Sequence, residues 1–386
     1  MTNTLSLFRT TPRIVMGPDA VDTIGQEVRD LSATRALIVT DNGILEAGLI
    51  NPVETSLQKA RVKYEIFSNV PSDPPYETVD ACVEEMKDFN PSCLIGLGGG
   101  SAIDIAKTAA VLFKNPGSIA DYFGVDLIKK PGLPTIILPT TAGTGSEVTP
   151  IAILSDEQDK LKKGIVSQHL FPRSAILDPV LTVGLPPSVT AATGMDALIH
   201  AIEAYTSVNA SRMTDMLASR AMELLYHNIR TAYANGNNIE ARSSMMEGSL
   251  LAGMAFANAG VTAVHAFAYP IGAEFHIPHG IANTLMLPHV MRFNLMGNLS
   301  KFADISQAFD MPVEGMNHLG AAEMGVEAIV RLAQDLQVPK HLSEFDIVEK
   351  DLPLLAQGVM KVTRLLANNP RTMTLKDAEE IYRAAL

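Results

Sequence analysis

Residues 93–107 read CLIGLGGGSAIDIAK, and this stretch decides the fold. The apolar run ending at Leu97 has the length and content of a buried strand. Gly98, Gly99 and Gly100 follow at once, and a helical pattern opens at Ser101. Ser101 and Asp104 have the S-x-x-D spacing of a capping box, which predicts a helix starting at Ser101. Strand, glycine turn and helix N-terminus together form an anion site. The glycines let backbone approach a phosphate, and free amides and the helix dipole hold it. A tight turn before an ordinary capped helix has the same pattern. Three consecutive glycines cost chain entropy, which favours a ligand lying against the backbone. The segment is not the standard dinucleotide fingerprint: Ser101 stands where G-x-G-x-x-G has its third glycine, and this is not the first βα turn.

Outward from that turn, further short apolar runs occur at 36–40, 62–67 and 135–138, and the quoted strand itself spans 92–97. Helical patterns at 46–60, 78–88 and 101–113 lie between them. Such alternation predicts βαβ units and a mostly parallel sheet covered on both faces. A second glycine- and hydroxyl-rich segment, 139–149, follows the run at 135–138, with Thr140, Thr141 and Thr144 among small residues. Asp41 ends the run at 36–40. Both loops suit the rule that ligands bind at the carboxyl ends of parallel strands. A carboxylate at Asp41 suits ribose hydroxyls, although many strands end in Asp as turn chemistry.

After Pro186-Pro187 the strand signals largely stop, and long helical patterns follow at 188–207, 213–233 and 239–258. An α/β domain over 1–185 and an all-helical domain over 186–386 are therefore expected. The chain has 386 residues, 47% of them hydrophobic and 19% charged, enough to bury a large core and to exclude disorder as the main state. A formal net charge of −12 argues against nucleic-acid binding. Two cysteines, Cys82 and Cys93, make no disulfide framework and fit a reducing compartment. Residues 1–12 hold no long apolar run, so no signal peptide is expected. Residues 250–264 are apolar but broken by Gly253, Asn258 and Gly260, too short and interrupted to span a bilayer. These readings point to a soluble, cytoplasmic protein with no membrane partner.

The helical half carries the chemistry. In 194–205, Asp196 and His200 are spaced i, i+4 and share one helix face among apolar or small neighbours. Buried polar groups need partners, and a buried Asp–His hydrogen bond or a divalent metal would each serve. Of nine histidines, His265 lies in an apolar helical turn, and His279 in the turn Phe275-His276-Ile277-Pro278-His279. Asp196, His200, His265 and His279 would offer one oxygen and three nitrogens, a set that suits Fe²⁺ or Zn²⁺ with positions open for a substrate oxygen. Spacing leaves His276 as an alternative ligand. His227, beside Glu223 and Arg230, reads as solvated.

These motifs resemble the iron-containing (group III) alcohol dehydrogenase family. Matching segments run the length of the chain: Gly98-Gly-Gly-Ser101-x-x-Asp104-x-x-Lys107, Pro139-Thr-Thr-Ala-Gly-Thr-Gly-Ser-Glu147, Asp178-Pro179, Gly194-x-Asp196-Ala-x-x-His200-Ala-x-Glu203, His265 with Pro270, Pro278-His279-Gly280 and Asn369-Pro370-Arg371. The resemblance implies a dinucleotide-binding α/β domain, a helical domain of dehydroquinate synthase-like architecture, catalysis in the cleft between them and a homodimer. It implies that Asp196, His200, His265 and His279 hold Fe²⁺, or Zn²⁺. Gly99, Gly100 and Ser101 would form the pyrophosphate turn, with Gly98 and Asp104 in the same cofactor-binding segment. Thr140, Thr141 and Thr144 would form the second cofactor loop. Lys162 and Leu181 would be further cofactor contacts, Asp41 the ribose carboxylate, and Ile151 and Phe256 substrate-pocket positions. Tyr269 stands where many members carry a further histidine near the nicotinamide. It is either a packed helix residue or a hydroxyl that orders water or substrate.

The implied activity is metal-dependent, NAD(P)-linked interconversion of an alcohol and an aldehyde, NAD preferred over NADP. A hydroxyacid–oxoacid transhydrogenase is the alternative within the family. A lyase of the dehydroquinate synthase type would need basic residues for a polyanion, and 148–151 and 252–268 are nearly free of them. A non-enzymatic metal or nucleotide sensor is the remaining class. Ile151, Phe256 and Phe267 suggest an apolar pocket.

Overall fold

The structure is a computed structural model and describes residues 5–157 and 161–386. The chain forms two compact units: Thr10–Gly184, and Leu185–Leu386 together with 5–9. Residues 5–9 thus go with the helices. There the Arg9 amide donates to Asn258 Oδ1 at 2.7 Å, and the Asn258 amide donates back to the Arg9 carbonyl at 2.9 Å.

The first unit is built on six strands: β1 (Ile14–Met16), β2 (Arg35–Val39), β3 (Lys63–Phe67), β4 (Cys93–Gly98), β6 (Thr135–Pro139) and β9 (Ser174–Leu177), in the order β1-β9-β6-β4-β2-β3. Every pairing is parallel. β4 and β6 are buried along their whole length, as continuous apolar runs in a two-sided parallel sheet must be. Helices α1 (Ile24–Asp30), α2 (Asn42–Glu46), α3 (Asn51–Lys59), α4 (Glu77–Phe89) and α5 (Gly100–Leu112) connect them. The remaining strands, β5 (Gly124–Val125), β7 (Ile151–Asp156) and β8 (Leu161–Val166), form a small separate sheet in which β7 and β8 are antiparallel.

The chain runs from β2 outward to β3, then returns across β2 to β4. The order therefore reverses between β2 and β4, the place where open α/β sheets take ligands. Val39 pairs with Gly96 and Gly98 with Pro139. This register puts Asp41, the glycine turn and the 139–149 loop at one level of the sheet's carboxyl edge.

Two local expectations are corrected. The single helix over 46–60 is instead α2, a left-handed turn at Gly48 and α3, which opens with Pro52 in its first turn. Proline lacks the N–H that a helix interior needs but fits a first turn. Ser101 does not cap α5: the cap residue is Gly99, and no side chain caps this helix. Asp104 has turned to other work. Its Oδ1 accepts from Ser146 Oγ at 2.6 Å and its Oδ2 from the Ile153 amide at 2.8 Å.

Lys107, fully buried one turn on, completes that network. Its Nζ donates to the Ser146 carbonyl (3.0 Å), Ser146 Oγ (2.9 Å) and the Ile151 carbonyl (2.5 Å), and lies 3.8 Å from Asp104 Oδ1. Burial pulls the ammonium down to about 8, against the pull of Asp104 and Glu147. Burial likewise raises the Glu147 carboxyl to about 7. The network rivets α5 to the second glycine loop.

The second unit is helical, with no strand among its described residues: α6 (Pro187–Thr206), α7 (Arg212–Ala234), α8 (Ile239–Ala259), α9 (Ala263–Phe275), α10 (His279–Asn294), α11 (Leu299–Ala308), α12 (His318–Asp335), α13 (Leu352–Lys361), α14 (Thr363–Leu366) and α15 (Leu375–Ala385). α6 is its axis, packed by α7, α8 and α10. α8 and α9 meet at 102° across the break after Ala259. No single described helix is long and apolar enough to cross a membrane. The Asn369-Pro370-Arg371 motif clamps the chain's end to α10: Asn369 and Asn294 exchange amide hydrogen bonds at 2.8 Å, and Arg371 donates to the Phe293 carbonyl. Phe267 is fully buried against Tyr382, whose hydroxyl donates to the Phe267 carbonyl. It is a core residue, and the expectation that it helps form an apolar pocket is corrected.

Lys107→Met removes the donor from Ser146, Thr149 and the Ile151 carbonyl and leaves Asp104 and Glu147 without their cation. Losing one partner of a buried pair costs about 3–5 kcal/mol, and urea unfolding of the variant should show a loss of that order. A loss below about 1 kcal/mol would mean that the network carries little of this unit's stability.

Candidate active site

Asp196 and His200 lie on one face of α6, 4% and 6% exposed. His265 enters in the first turn of α9, and His279 is the first residue of α10. Gly280 makes that second approach possible. A Cβ there would stand 2.2 Å from the Ala192 carbonyl of α6, so only glycine lets the start of α10 lie against α6.

One ligand atom each from Asp196, His265 and His279 falls within 4.8 Å of the others. Asp196 Oδ1 is 3.7 Å from His265 Nε2 and 3.8 Å from His279 Nε2. His200 flanks this group of three, its Nε2 3.0 Å from His265 Nε2 and its Nδ1 4.0 Å from Asp196 Oδ2. Bonds of about 2.1 Å to one ion hold their donors roughly 3–4 Å apart, so these spacings fit a divalent cation. Borderline imidazole nitrogens with one hard carboxylate oxygen suit Fe²⁺ or Zn²⁺. His276 is exposed, in the left-handed position that ends α9, and is not in the group.

Electrostatics fit the same occupant. Burial alone would raise the Asp196 carboxyl, but His200, His279, His265 and the Asn283 amide together hold it at about 2. It is therefore a carboxylate at neutral pH. Burial lowers His265, and Glu203 outweighs burial, so its pKa rises above the ordinary value. Asn283 is fully buried, donates to Asp196 Oδ1 at 2.8 Å and lies 3.1 Å from His279 Nε2. Its carbonyl oxygen is buried with no partner, the kind of incomplete satisfaction that marks a site built for something more. The Phe256 ring stacks on His200 at 4.3 Å. The Tyr269 ring is 6.0 Å from that of His279, and burial pushes its hydroxyl up to about 12.

Three neighbours of this site are absent from the sequence-based set. Glu203 lies one turn past His200, and Asn283 one turn past His279; both spacings put a polar residue on an already marked helix face. Arg364, from α14, pulls the Tyr269 and His265 pKa values down. It lies outside the segments 148–151 and 252–268, so counting basic residues there missed it.

In the sheet unit the two glycine loops touch. The Thr140 amide donates to the Gly98 carbonyl at 3.0 Å. A Cβ on Gly100 would stand 2.9 Å from Thr144 Cγ2, and one on Gly99 3.7 Å from Thr141. Gly98 has φ +149°, a conformation closed to most residues, and its missing Cβ would meet Ala102 at 2.8 Å. Asp41 Oδ2 is 3.5 Å from the same point, while Oδ1 caps α2 through the Ile44 amide at 3.1 Å. Gly99, Gly100, Ser101, Thr141 and Thr144 are partly open.

The other expected contact positions have the following surroundings in the sheet unit. Both Asp104 oxygens are engaged by protein donors, which makes it a brace for the loops. Leu181 is 3% exposed, in the core with Leu97 and Leu138. Lys162 is on β8, its ammonium paired with Asp73 at 2.6 Å. Ile151 opens β7, and its carbonyl accepts from Lys107.

Comparison with known proteins follows the same division. The model of the iron-containing alcohol dehydrogenase family matches residues 11–179, and that of the C-terminal part of the Fe-containing alcohol dehydrogenase family matches 190–386. Long-chain-alcohol dehydrogenase 1 of Geobacillus thermodenitrificans is 42% identical over 373 residues, 96% of this chain and 94% of that protein. The NAD-dependent methanol dehydrogenase of Bacillus methanolicus is 37% identical over 375 residues, 97% of this chain and 98% of that protein. The crystal structure of a 1,3-propanediol oxidoreductase superposes with a TM-score of 0.97 at 36% identity, covering 99% of this chain and 100% of the other.

His265→Ala and His279→Ala should each lose most bound metal, while His276→Ala retains it. Metal content of the purified proteins by mass spectrometry checks this. Full loading of the first two variants would take the ion away from this cluster.

Proposed function

The chain belongs to the iron-containing alcohol dehydrogenase family, and from that premise we propose that it is a metal-dependent, NAD-linked alcohol dehydrogenase and aldehyde reductase. The observation that carries the reading is the convergence of Asp196, His265 and His279 on one point in the helical unit. A glycine turn suited to pyrophosphate, at the switch point of a parallel sheet in the same chain, supports it. When bound, the divalent ion supplies Lewis acidity to an alcohol or carbonyl oxygen, and the nicotinamide gives or takes a hydride.

The protein's own groups do the rest. Asp196, His265 and His279, with His200 beside them, hold the ion. The open amides of Gly100 and Ser101, at the N-terminus of α5, receive the pyrophosphate, and Thr141 and Thr144 offer hydroxyls next to it. Asp41 accepts from an adenosine ribose hydroxyl. Phe256, stacked on His200, gives the substrate apolar surface that excludes water. Tyr269, whose hydroxyl burial pushes up to about 12, donates a hydrogen bond or holds a proton at Oη.

The relatives named above act on a long-chain alcohol, methanol and 1,3-propanediol, so the shared chemistry is the primary alcohol and its aldehyde. Two free, buried thiols, Cys82 and Cys93, fit a reducing cytoplasmic compartment. A homodimer is the expected assembly. The deciding experiment is a steady-state panel of primary alcohols with NAD⁺ and of aldehydes with NADH, after reconstitution with Fe²⁺ and with Zn²⁺. Metal-dependent turnover in both directions is expected, and its absence across the panel would refute the reading.

NAD is preferred over NADP because Asp41 repels a 2′-phosphate. Two unit charges ~4 Å apart interact by about 1 kcal/mol in water and about 4 at an effective dielectric of 20. Asp41→Asn keeps the α2 cap and removes the charge. It should raise the NADP-to-NAD ratio of kcat/KM by roughly tenfold or more, at about 1.4 kcal/mol per tenfold. An unchanged ratio would show that Asp41 does not face the ribose.

A further inference from the structure

We propose that Glu203 is a positioning residue of the metal centre: its carboxylate accepts a hydrogen bond from the Nδ1–H of His265, which keeps the ring proton there and leaves Nε2 unprotonated for the ion. The inference rests on the metal reading above and concerns a residue that offers no atom to the ion itself.

Glu203 is 1% exposed, one turn beyond His200 on α6. A carboxylate so buried must be fully hydrogen-bonded. Its Oε1 accepts from Thr262 Oγ1 at 2.6 Å and from the Val264 amide at 2.7 Å. Its Oε2 is in close contact with His265 Nδ1. The first two bonds settle the helix that carries His265. Thr262 precedes α9 and gives it no side-chain cap, so the free amides of its first turn need an outside acceptor. Glu203 supplies one, with a negative charge placed where the helix dipole favours it.

The third contact settles the ring. A neutral imidazole carries one N–H. The ionised carboxylate can only accept, so that N–H sits at Nδ1 and the Nε2 lone pair points away from Glu203. Nε2 is the atom 3.7 Å from Asp196 Oδ1 and 3.0 Å from His200 Nε2. Glu203 thus sets which nitrogen is available, which way it faces, and where its helix begins.

Glu203→Gln separates these roles at nearly constant shape. The amide has one accepting and one donating end. With its oxygen kept on the Val264 amide, its NH₂ faces His265 Nδ1 and drives the ring proton to Nε2. Thr262→Val is the complementary control: it removes one bond to the carboxylate and leaves the His265 contact.

The test is Co²⁺ affinity by chelator competition, with the visible spectrum of bound Co²⁺ as a second readout. Partners behind a metal-binding histidine are worth about 10–100-fold in affinity. Glu203→Gln should weaken Co²⁺ by that factor and shift its visible bands, while Thr262→Val stays within about threefold of wild type on the same scale. Wild-type affinity and spectrum in Glu203→Gln, or an equal loss in Thr262→Val, would reduce Glu203 to a helix cap and overturn the proposal. No Co²⁺ binding by the wild type would refute the metal reading, and this proposal with it. Should Glu203→Gln fail to fold, the tautomer can be read in metal-free wild type by ¹⁵N-histidine NMR. A His265 ring protonated at Nδ1 supports the proposal, and one protonated at Nε2 alone overturns it.

Discussion

Burial of ionisable groups along one face of α6 is the constraint on which the helical unit depends. Asp196, His200 and Glu203 are each at most 6% exposed. Isolated burial of such groups is too costly to persist, so every neighbouring element has to answer it. α9 brings Thr262, the Val264 amide and His265 to Glu203; α10 brings His279 and Asn283 to Asp196. Local features follow from that demand. Gly280 is glycine because α10 must reach the backbone of α6, and α9 turns by 102° from α8 so that its first turn meets Glu203. A divalent cation completes an arrangement that is otherwise rich in acceptors.

The sheet unit answers buried charge in the same way. No side chain caps the start of α5. Asp104, expected in the capping box, is drafted elsewhere, as is Lys107 one turn on. Asp104 reaches Ser146 and Ile153, and Lys107 reaches Ser146 and Ile151, which holds the second loop against the first. One buried carboxylate and one buried ammonium thus replace a surface capping box. The two glycine loops are thereby held rigidly together.

The strands with long apolar runs, the alternation with helices and the change to an all-helical second half were legible in the sequence, because burial on two faces leaves a strong compositional mark. β1 and β9 were not: with three and four residues, neither carries enough pattern to stand out. The β7–β8 pair was missed because neither strand is a continuous apolar run: β7 alternates buried and half-buried residues and ends in Ser155-Asp156, and β8 carries Lys162-Lys163-Gly164. At the metal cluster, residue type and spacing marked Asp196 and His200, and histidine count with local context marked His265 and His279. Spacing alone left His276 beside His279, three residues away; the family resemblance chose His279, and the coordinates agree, since the chain's turn after α9 decides which ring faces inward. Glu203 and Asn283 had the right helical spacing. Glu203 even closes a motif that the sequence matches; what hid the role of both was that their partners are a backbone amide and side chains from distant parts of the chain.

The central claim is that one divalent ion sits at the meeting point of α6, α9 and α10. Diffraction from crystals of the metal-loaded protein, recorded on both sides of the metal's absorption edge, tests it most directly. The expected result is a single strong anomalous peak per chain, about 2.0–2.2 Å from the ligand atoms of Asp196, His265 and His279, with His200 as the flanking imidazole. A peak at another histidine, or none in a protein that turns over alcohol, would contradict it.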